Sequence, residues 1–510
     1  MLEIPILYHI LQLGEGPEPG PQIVTIDDHF NFEPYGPNQY NLEFCVTFPE
    51  GTDFTTITAE HPDWTATVTS GATSINLDAS SVSGTDCILL TGIDASSVPS
   101  DGSDCTFTLS VDGEDLYSGT STCLVVEFKY FTIENMTALT NTITFTKNGT
   151  PLTGADLSYS TDGENFTPIS YTGTQGTVAI DPHESIQLRS TSGLSESSTN
   201  YYNIQASDGI KLSGDARTLI DYTNPALDTA QNYCFYSLFK GNTVYMMSAI
   251  DFSGLENLAD SCYMSMFENC TGLTMTSYLP AMTLAVRCYK NMYKGCTNLT
   301  IIPSVLPATT LTADCYAYMF DGCSSLTTVP VLPATTLTSS CYLAMFRNCS
   351  SLTQAPALPA TILKFNVYAN MFENCTSLLQ APELPALTLT DSSYYRMFRG
   401  CSSLNYSPTL PATTAIHNSY SGMFNGCSSL VEAPELMVTT LHHNDPAQGM
   451  FSNCILLNKV IVHVPTWSET QFSNWLNNVS PTGDFYNLGG ATIPTGASGI
   501  PVGWTEHTSL

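Results

Sequence analysis

Paired cysteines in the C-terminal half are the residues most able to do chemistry, because thiolates bind metal ions and form disulfides. The stretch SCYLAMFRNCSSLTQAPALPATIL carries Cys341 and Cys349 eight residues apart and recurs along the chain, with the second cysteine present in eight copies. In the last four copies the first cysteine is replaced by Val367, Ser393, Ser419 and Pro446. Half of any disulfides or metal sites would therefore lack a partner, and no CxxC spacing occurs in the repeats. We interpret both positions as small, packed core sites.

The repeat itself is marked by a Met-Phe-like pair that occurs nine times, at spacings of 26–28 residues. Within one copy the apolar stripe of a short helix is indicated by Cys341, Tyr342, Met345, Phe346 and Cys349. Asn or Gly always precedes the second cysteine, as is typical of a helix end in the left-handed conformation. The proline-containing tail predicts an extended segment. We expect these helix-plus-strand units to stack around a continuous core.

Alternating apolar and polar residues predict short strands before the repeats. The turns Asn148-Gly149 and Asp162-Gly163 predict two hairpins. The expected fold is multidomain, with all-β Ig-like sandwich domains followed by an α/β leucine-rich-repeat solenoid and a C-terminal cap. The expected parts are an N-terminal arm (1–21), an acidic Ig-like β-sandwich (22–128), a second β-domain (129–222), the solenoid (223–462) and the capping unit (463–510).

Acidic residues dominate the charge: 46 Asp and Glu oppose 14 Lys and Arg, for a net charge of −32. No Lys or Arg precedes Lys129, whereas residues 1–128 hold 20 Asp and Glu. This excess argues against nucleic-acid binding and favours a basic protein partner or Ca²⁺, although a solvated acidic surface is the simpler interpretation. The carboxylate-rich segment 94–104 could hold Ca²⁺ but lacks the EF-hand order. Core thiols are favoured over disulfides for Cys45, Cys87, Cys105 and Cys123.

Export and membrane signals are weak in this sequence. It contains no apolar run of 18 residues, so we expect no membrane-spanning helix. The first residues lack the basic region and the cleavage site of a secretory signal, so we expect either that the sequence is already mature or that the protein leaves its cell by another route such as cell lysis.

Catalytic motifs of the GxSxG, HExxH and Walker types are absent from the sequence. The pair His442-His443 is the one histidine cluster, and an exposed loop is its simplest interpretation. We therefore predict a non-enzymatic protein with no cofactor other than the Ca²⁺ considered above. A glycan-degrading enzyme stays as an alternative, and it would need a carboxylate pair in a cleft.

Basic residues are scarce enough to be informative. Lys294, Arg347 and Arg399 occupy the same position in their repeats, one residue before the Asn or Gly. One interpretation is a basic stripe on the helical face that binds an anionic glycan or an acidic protein. The simpler one is that cations near helix C-termini complement the macrodipole. The predicted binding residues are Lys290, Lys294, Tyr318, Arg347, Tyr395, Arg396 and Arg399.

The repeat pattern CYxxMFxxCSSL…APxLPATTL resembles the BspA-like leucine-rich repeats of surface proteins of gut bacteria and their phages. The tail 475–504 is similar to the unit that closes such arrays, and segments 143–150 and 159–166 are similar to the β-domain that often precedes them. The resemblance implies binding or adhesion. We expect a phage virion component, such as a head or tail fibre or a decoration protein, that attaches particles to a host surface protein or glycan.

In this hypothesis the N-terminal region docks on a virion or surface anchor protein, and self-association into a homo-oligomer stays open. The alternative is a BspA-like adhesin on the bacterial cell surface, which places the protein there rather than in the virion.

Overall fold

The computed structural model divides the chain into two compact units, Met1–Lys129 and Tyr130–Leu510. It describes the strands between residues 25 and 125, and residues 130–149, 157–191, 193–224, 227–442 and 445–510. The predicted arm 1–21 lies outside the described residues. Regular structure within the described parts is almost entirely β, and its one helix is α1, Thr218–Asp221. None of the described helical residues forms a segment long and apolar enough to cross a membrane.

The described residues of the first unit form eight strands. They are β1 (Thr25–Ile26), β2 (His29–Gly36), β3 (Gln39–Thr47), β4 (Thr65–Ser70), β5 (Thr73–Asp78), β6 (Cys87–Asp94), β7 (Asp104–Val111) and β8 (Glu114–Val125). Hydrogen bonds join them in the order β1-β3-β2-β8-β7-β4-β5, with β6 added to β3. The pairing of β2 with β8 is parallel. The Ig-like sandwich predicted for residues 22–128 would divide its strands between two sheets, whereas all eight described strands belong to one connected network.

The second unit opens with two sheets. Its strands are β9 (Phe131–Asn135), β10 (Asn141–Asn148), β11 (Ser158–Ser160), β12 (Thr167–Pro168), β13 (Tyr171–Thr172), β14 (Gln175–Ile180), β15 (Ser185–Arg189), β16 (Tyr201–Ala206), β17 (Ile210–Asp215), β18 (Met246–Asp251) and β19 (Leu273–Met275). The sheets run β13-β14-β10-β16 and β12-β11-β15-β9-β17-β18-β19. The predicted hairpin around Asp162-Gly163 is confirmed as β11 and β12. The hairpin predicted around Asn148-Gly149 is not formed among the described strands, because β10 pairs with β14 and β16 and not with β11, the next described strand.

The larger sheet extends directly into the repeats. Strand β17 pairs in parallel with β18, and β18 pairs in parallel with β19. Strand β19 lies just after Cys270, the second cysteine of its repeat. A hydrogen-bonded sheet therefore crosses the position, residue 222, at which the sequence predicted a domain boundary. The β-sheet is the base on which the first repeats stack.

The predicted helices do not form, and the α/β leucine-rich-repeat solenoid is wrong for this reason. The helical stripe is instead a run of turns in which every fourth residue has a positive φ: Ser340 (56°), Ala344 (50°) and Asn348 (61°). The left-handed conformation predicted for the residue before the second cysteine is present at Asn348, but it is one of three such residues in the repeat. A left-handed residue at every fourth position interrupts a right-handed helix before it completes a turn.

Backbone hydrogen bonds show why turns replace the helix. Some N–H groups bond three residues back within the repeat, as from Cys349 to the Phe346 carbonyl (3.2 Å). The N–H groups between them cross to the next repeat, where Phe346 donates to Met371 (3.0 Å) and Asn348 donates to Glu373 (2.7 Å). An α-helix would direct these amides along its own axis. The crossing bonds bind each repeat to its neighbour.

The core of the repeats consists of two columns of stacked aromatic rings, one ring per repeat in each column. One column runs from Tyr263 to Tyr420 and the other from Phe239 to Phe451, with neighbouring centroids 5.4–6.1 Å apart. Packed α-helices need an axis separation of about 8–10 Å. Repeats this close have no room for helices, whereas turns fit.

Each repeat returns through its proline-containing segment, and these segments lie side by side. Isolated parallel bridges join them, for example Val305 with Val331. At one place two consecutive bridges join the same two segments and form the short strands β20 (Thr414–Ala415) and β21 (Thr440–Leu441). We call the surface formed by the runs of turns the turn face and the surface formed by the returning segments the extended face.

The far end of the stack is closed by a small parallel sheet and a tryptophan. The sheet contains β22 (Lys459–Val462), β23 (Gly483–Asn487) and β24 (Trp504–His507). Trp475 is buried and meets Phe451 edge-on at 61°, which ends the parallel stacking of rings. Its indole N–H donates to the Gly499 carbonyl (3.0 Å).

Removing one ring from the middle of a column tests this account of the core. Phe346 is fully buried, so Phe346→Ala should lower the free energy of unfolding by about 3–5 kcal/mol in urea denaturation. Phe346→Tyr should lose much less, because Tyr293 holds the same position in its own repeat. The exposed substitution Thr353→Ala should change stability by less than about 0.5 kcal/mol. Equal losses for Phe346→Ala and Thr353→Ala would contradict a ring-stacked core.

Candidate binding surface

The seven predicted binding residues all lie on the turn face, in only three positions of the repeat. Lys290 and Tyr395 share the sixth position before the second cysteine, and Tyr318 and Arg396 share the fifth. The second position before that cysteine is the one that Lys294, Arg347 and Arg399 share. Backbone bonds between repeats keep these positions in register, for example from Tyr318 to the Leu343 carbonyl (2.8 Å).

Charge alternates along the second position before the cysteine, repeat after repeat. The residues there are, in order, Glu268, Lys294, Asp321, Arg347, Glu373 and Arg399, and Lys240 holds the equivalent position in the first copy, where Asn242 replaces the cysteine. We call this series the charge ladder. Ladder residues of neighbouring repeats lie side by side. The residue that follows each ladder residue in the sequence donates its backbone N–H to the carbonyl of the ladder residue in the next repeat, at 2.6–2.8 Å throughout.

Three ion pairs join neighbouring repeats within the ladder. The Arg347 guanidinium contacts Asp321 twice, with Nε–Oδ1 at 3.0 Å and Nη2–Oδ2 at 2.7 Å. The side chain of Asp321 is only 4% exposed, and its hydrogen bonds are the main reason that the pKa of Arg347 is raised. Lys240 pairs with Glu268 at 2.8 Å, and the Arg399 guanidinium pairs with Glu373 at 3.1 Å.

The remaining predicted residues contact rings or a further carboxylate. The Lys294 ammonium lies 5.7 Å and the Arg347 guanidinium 5.1 Å from the centre of the Tyr318 ring, so these three side chains form one cluster. Lys290 pairs with Asp314 at 3.3 Å.

A second cluster on the turn face consists of Tyr395 and Arg396, with the guanidinium 4.7 Å from the ring centre. Arg396 also has a positive φ (51°), at the position where Ala344 has one. The predicted residues are thus brought into two clusters on one face, and their role in binding stays a prediction.

Both interpretations of the basic residues change. The helix-dipole interpretation is wrong because these cations do not lie at helix ends. A uniformly basic stripe is not formed either, because an acidic residue separates each pair of ladder cations. Sequence reasoning missed the acidic members, Glu268, Asp321 and Glu373. The signal is present in the sequence, because these acidic residues align at the same position of the repeat as the basic ones.

The cysteines are free and buried in the described residues, which confirms their interpretation as packed positions. Each of the eight second cysteines donates its thiol to the carbonyl of a column residue in the preceding repeat, as from Cys349 Sγ to Phe320 O (3.1 Å). The others make the same bond at 2.9–3.2 Å. This bond explains why the second position is always cysteine. The first position makes no such repeated bond, and Val367 and Ser393 are accepted there.

Burial raises the pKa values of these thiols. The pKa of Cys270 is raised to about 12, that of Cys315 to about 12 and that of Cys341 to about 11. A thiol that stays protonated at neutral pH is a poor nucleophile and a poor metal ligand.

The remaining candidate metal ligands are the histidines and the acidic segment 94–104. Within the described ranges, no group of three or more His, Cys, Asp or Glu side chains is placed to hold a metal ion. His442 is exposed, and its neighbours 443 and 444 lie outside the described residues. Most of the predicted Ca²⁺ segment, 95–103, also lies outside them.

Comparison with known proteins returned no match: no family model, no curated protein and no solved structure matches the chain.

The charge ladder predicts unequal costs for removing two arginines. Arg347→Ala leaves the nearly buried Asp321 carboxylate without its guanidinium, so it should lower the free energy of unfolding by about 1–3 kcal/mol. Arg396→Ala removes a contact with a ring and should cost at most about 1 kcal/mol. In urea denaturation, the double variant Asp321→Asn/Arg347→Ala should lose less than the sum of its single changes. Additive losses would show that the pair is not coupled.

The buried thiols predict a loss of stability at alkaline pH. Their folded-state pKa values lie above the unfolded value of about 8.5, so the unfolded chain loses its thiol protons first. The stabilisation is complete below about pH 8.5 and is lost as pH rises through the folded pKa values. Urea midpoints should therefore fall between about pH 8 and pH 10. A constant midpoint, or fast alkylation of the native thiols by iodoacetamide at neutral pH, would contradict this.

Proposed function

We propose that this chain is a non-enzymatic attachment protein, in which the stacked repeats form a stiff scaffold and their exposed side chains form the binding surface. The observation that carries the proposal is that the constant and the variable positions of the repeat differ in burial. Positions that recur in every copy are buried, as for Phe346 and Cys349 at 0% exposure. Positions on the turn face that change between copies, such as those of Tyr318 and Tyr395, are partly exposed. A constant core with a variable surface suits recognition.

The chemistry of the thiols supports the same proposal. The cysteines were the side chains in the repeats best suited to catalysis, and their raised pKa values and carbonyl hydrogen bonds assign them to packing. The charged side chains of the ladder are likewise largely engaged with one another. A glycan-degrading enzyme would need two carboxyl groups facing a substrate cleft, whereas Asp321 and Glu373 face arginines of neighbouring repeats.

We propose a phage virion as the setting, with a bacterial cell surface as the second candidate. The resemblance of the repeat pattern to BspA-like surface and phage proteins supports both. The division of the chain after Lys129 supports separate tasks for its two units, with the acidic first unit attached to an anchor protein and the repeats exposed.

Fractionation of a culture that produces the chain tests the setting. The virion proposal expects the protein to band with phage particles in a density gradient and to be detected there by mass spectrometry. Deletion of residues 1–128 should abolish incorporation while the remaining unit, which has its own core, still folds. Recovery of the protein with intact cells, where added protease cleaves it, would favour the cell-surface setting. Recovery only inside the cells would overturn both.

A further inference from the structure

Part of the extended face is free of charged side chains. Three consecutive returning segments, 271–286, 297–313 and 324–339, contain no Asp, Glu, Lys, Arg or His, although the chain carries a net charge of −32. Large apolar side chains are exposed there, among them Tyr278, Ile301 and Val331. A surface of this kind costs little to desolvate, and it favours contact with an uncharged partner.

Hydroxyl groups repeat along this face in fixed register. Two adjacent positions after the buried alanine of each segment are mostly threonine, as in Thr309-Thr310, Thr335-Thr336 and Thr413-Thr414. Parallel bridges align them from one repeat to the next, for example Thr388 with Thr414. Neighbouring hydrogen-bonded segments lie about 4.8 Å apart, so the hydroxyls form a regular array.

A groove of about 460 Å³ opens beside this array, between the segments that contain Gln354 and Gln380. Its apolar walls come from prolines and alanines, and its polar groups are the two glutamine amides and the Glu383 carboxylate. The Thr409 hydroxyl donates to Glu383 at 2.8 Å and orients it. Tyr406 continues the glutamine column, bridged to Gln380, and its side chain is 65% exposed.

We propose that this groove and the adjacent threonine array bind a neutral glycan chain that runs along the stack. The inference rests on the proposed attachment function and names the class of ligand. Glutamine amides offer both donors and acceptors to sugar hydroxyls. The Tyr406 ring and the prolines accept the apolar C–H face of a sugar ring. Glu383 disfavours an anionic polymer.

Periodicity decides between a glycan and a peptide. The threonine positions present hydroxyl groups at most repeats, so a ligand that runs along them must present similar groups at a regular interval, as a polysaccharide does. A peptide that adds a strand needs free backbone groups at a sheet edge. Along the middle of the stack, bridges such as Gln380 with Tyr406 already use backbone groups of the returning segments.

Affinity electrophoresis of the full-length protein tests the ligand class. The gels contain mannan, dextran, a soluble β-glucan or, as charged comparisons, heparin and alginate. At least one neutral polymer should retard the protein, and Gln354→Ala/Gln380→Ala and Tyr406→Ala should weaken that retardation by about tenfold or more, since they remove the amide hydrogen bonds and the ring contact. Matched controls are Tyr245→Ala, at an exposed tyrosine elsewhere, and Gln448→Ala on the turn face. Retardation by none of the neutral polymers, or equal retardation of all variants, would overturn the proposal.

Cell binding separates this proposal from the attachment function itself. Labelled protein should bind host cells, and periodate oxidation of cell-surface glycans or the groove variants should remove the binding. If Tyr395→Ala/Arg396→Ala removes binding and the groove variants do not, attachment stands and the glycan groove is wrong. Loss of binding after protease treatment of the cells, but not after periodate, identifies a protein partner and also overturns the groove. Absence of any cell binding would overturn attachment.

Discussion

The close spacing between neighbouring repeats is the constraint on which the rest of the structure depends. Parallel bridges on the extended face set a separation of about 4.8 Å, and the ring columns keep neighbouring centroids within 5.4–6.1 Å. Helices on the other face would need nearly twice that spacing. The chain solves the problem with turns whose amides bond partly within the repeat and partly to the next one. Both faces can then advance at the same step.

This step also determines how side chains are used. At this separation, identical positions in neighbouring repeats are in contact, so each position forms a column with its own chemistry: rings, thiols bonded to carbonyls, alternating charges, or hydroxyls. A ring column gains from repetition of one residue type, because aromatic rings stack favourably on one another. A charged column gains only from alternation, because equal charges at this distance repel. The recurrence of aromatic rings at the Phe346 position and the alternation of charge at the Arg347 position therefore have one cause, which is the contact between identical positions in neighbouring repeats.

The sequence allowed the repeat length, the buried positions and the packing role of the cysteines to be predicted, because these follow from comparing copies within the chain. The helix could not be told from the turns by apolar spacing, since both bring residues i, i+4 and i+8 to one side. A better signal was present in one copy, where Asn366, Asn370 and Asn374 fall at every fourth residue and all three have positive φ. The groove was not predictable, because it depends on which proline-flanked side chains stay exposed once the segments align. The connected sheet of the first unit depends on long-range pairing, which alternation alone does not specify.

The alternating ladder has a consequence for the way this gene can change in length. Recombination between two neighbouring copies would delete or duplicate a whole repeat in frame, and the columns of rings and thiols would accept the change. The charge ladder would not, because loss of the repeat that carries Asp321 brings Lys294 against Arg347. Loss of two adjacent repeats restores the alternation. Viable variants of different length should therefore differ by even numbers of repeats within the charged part of the stack.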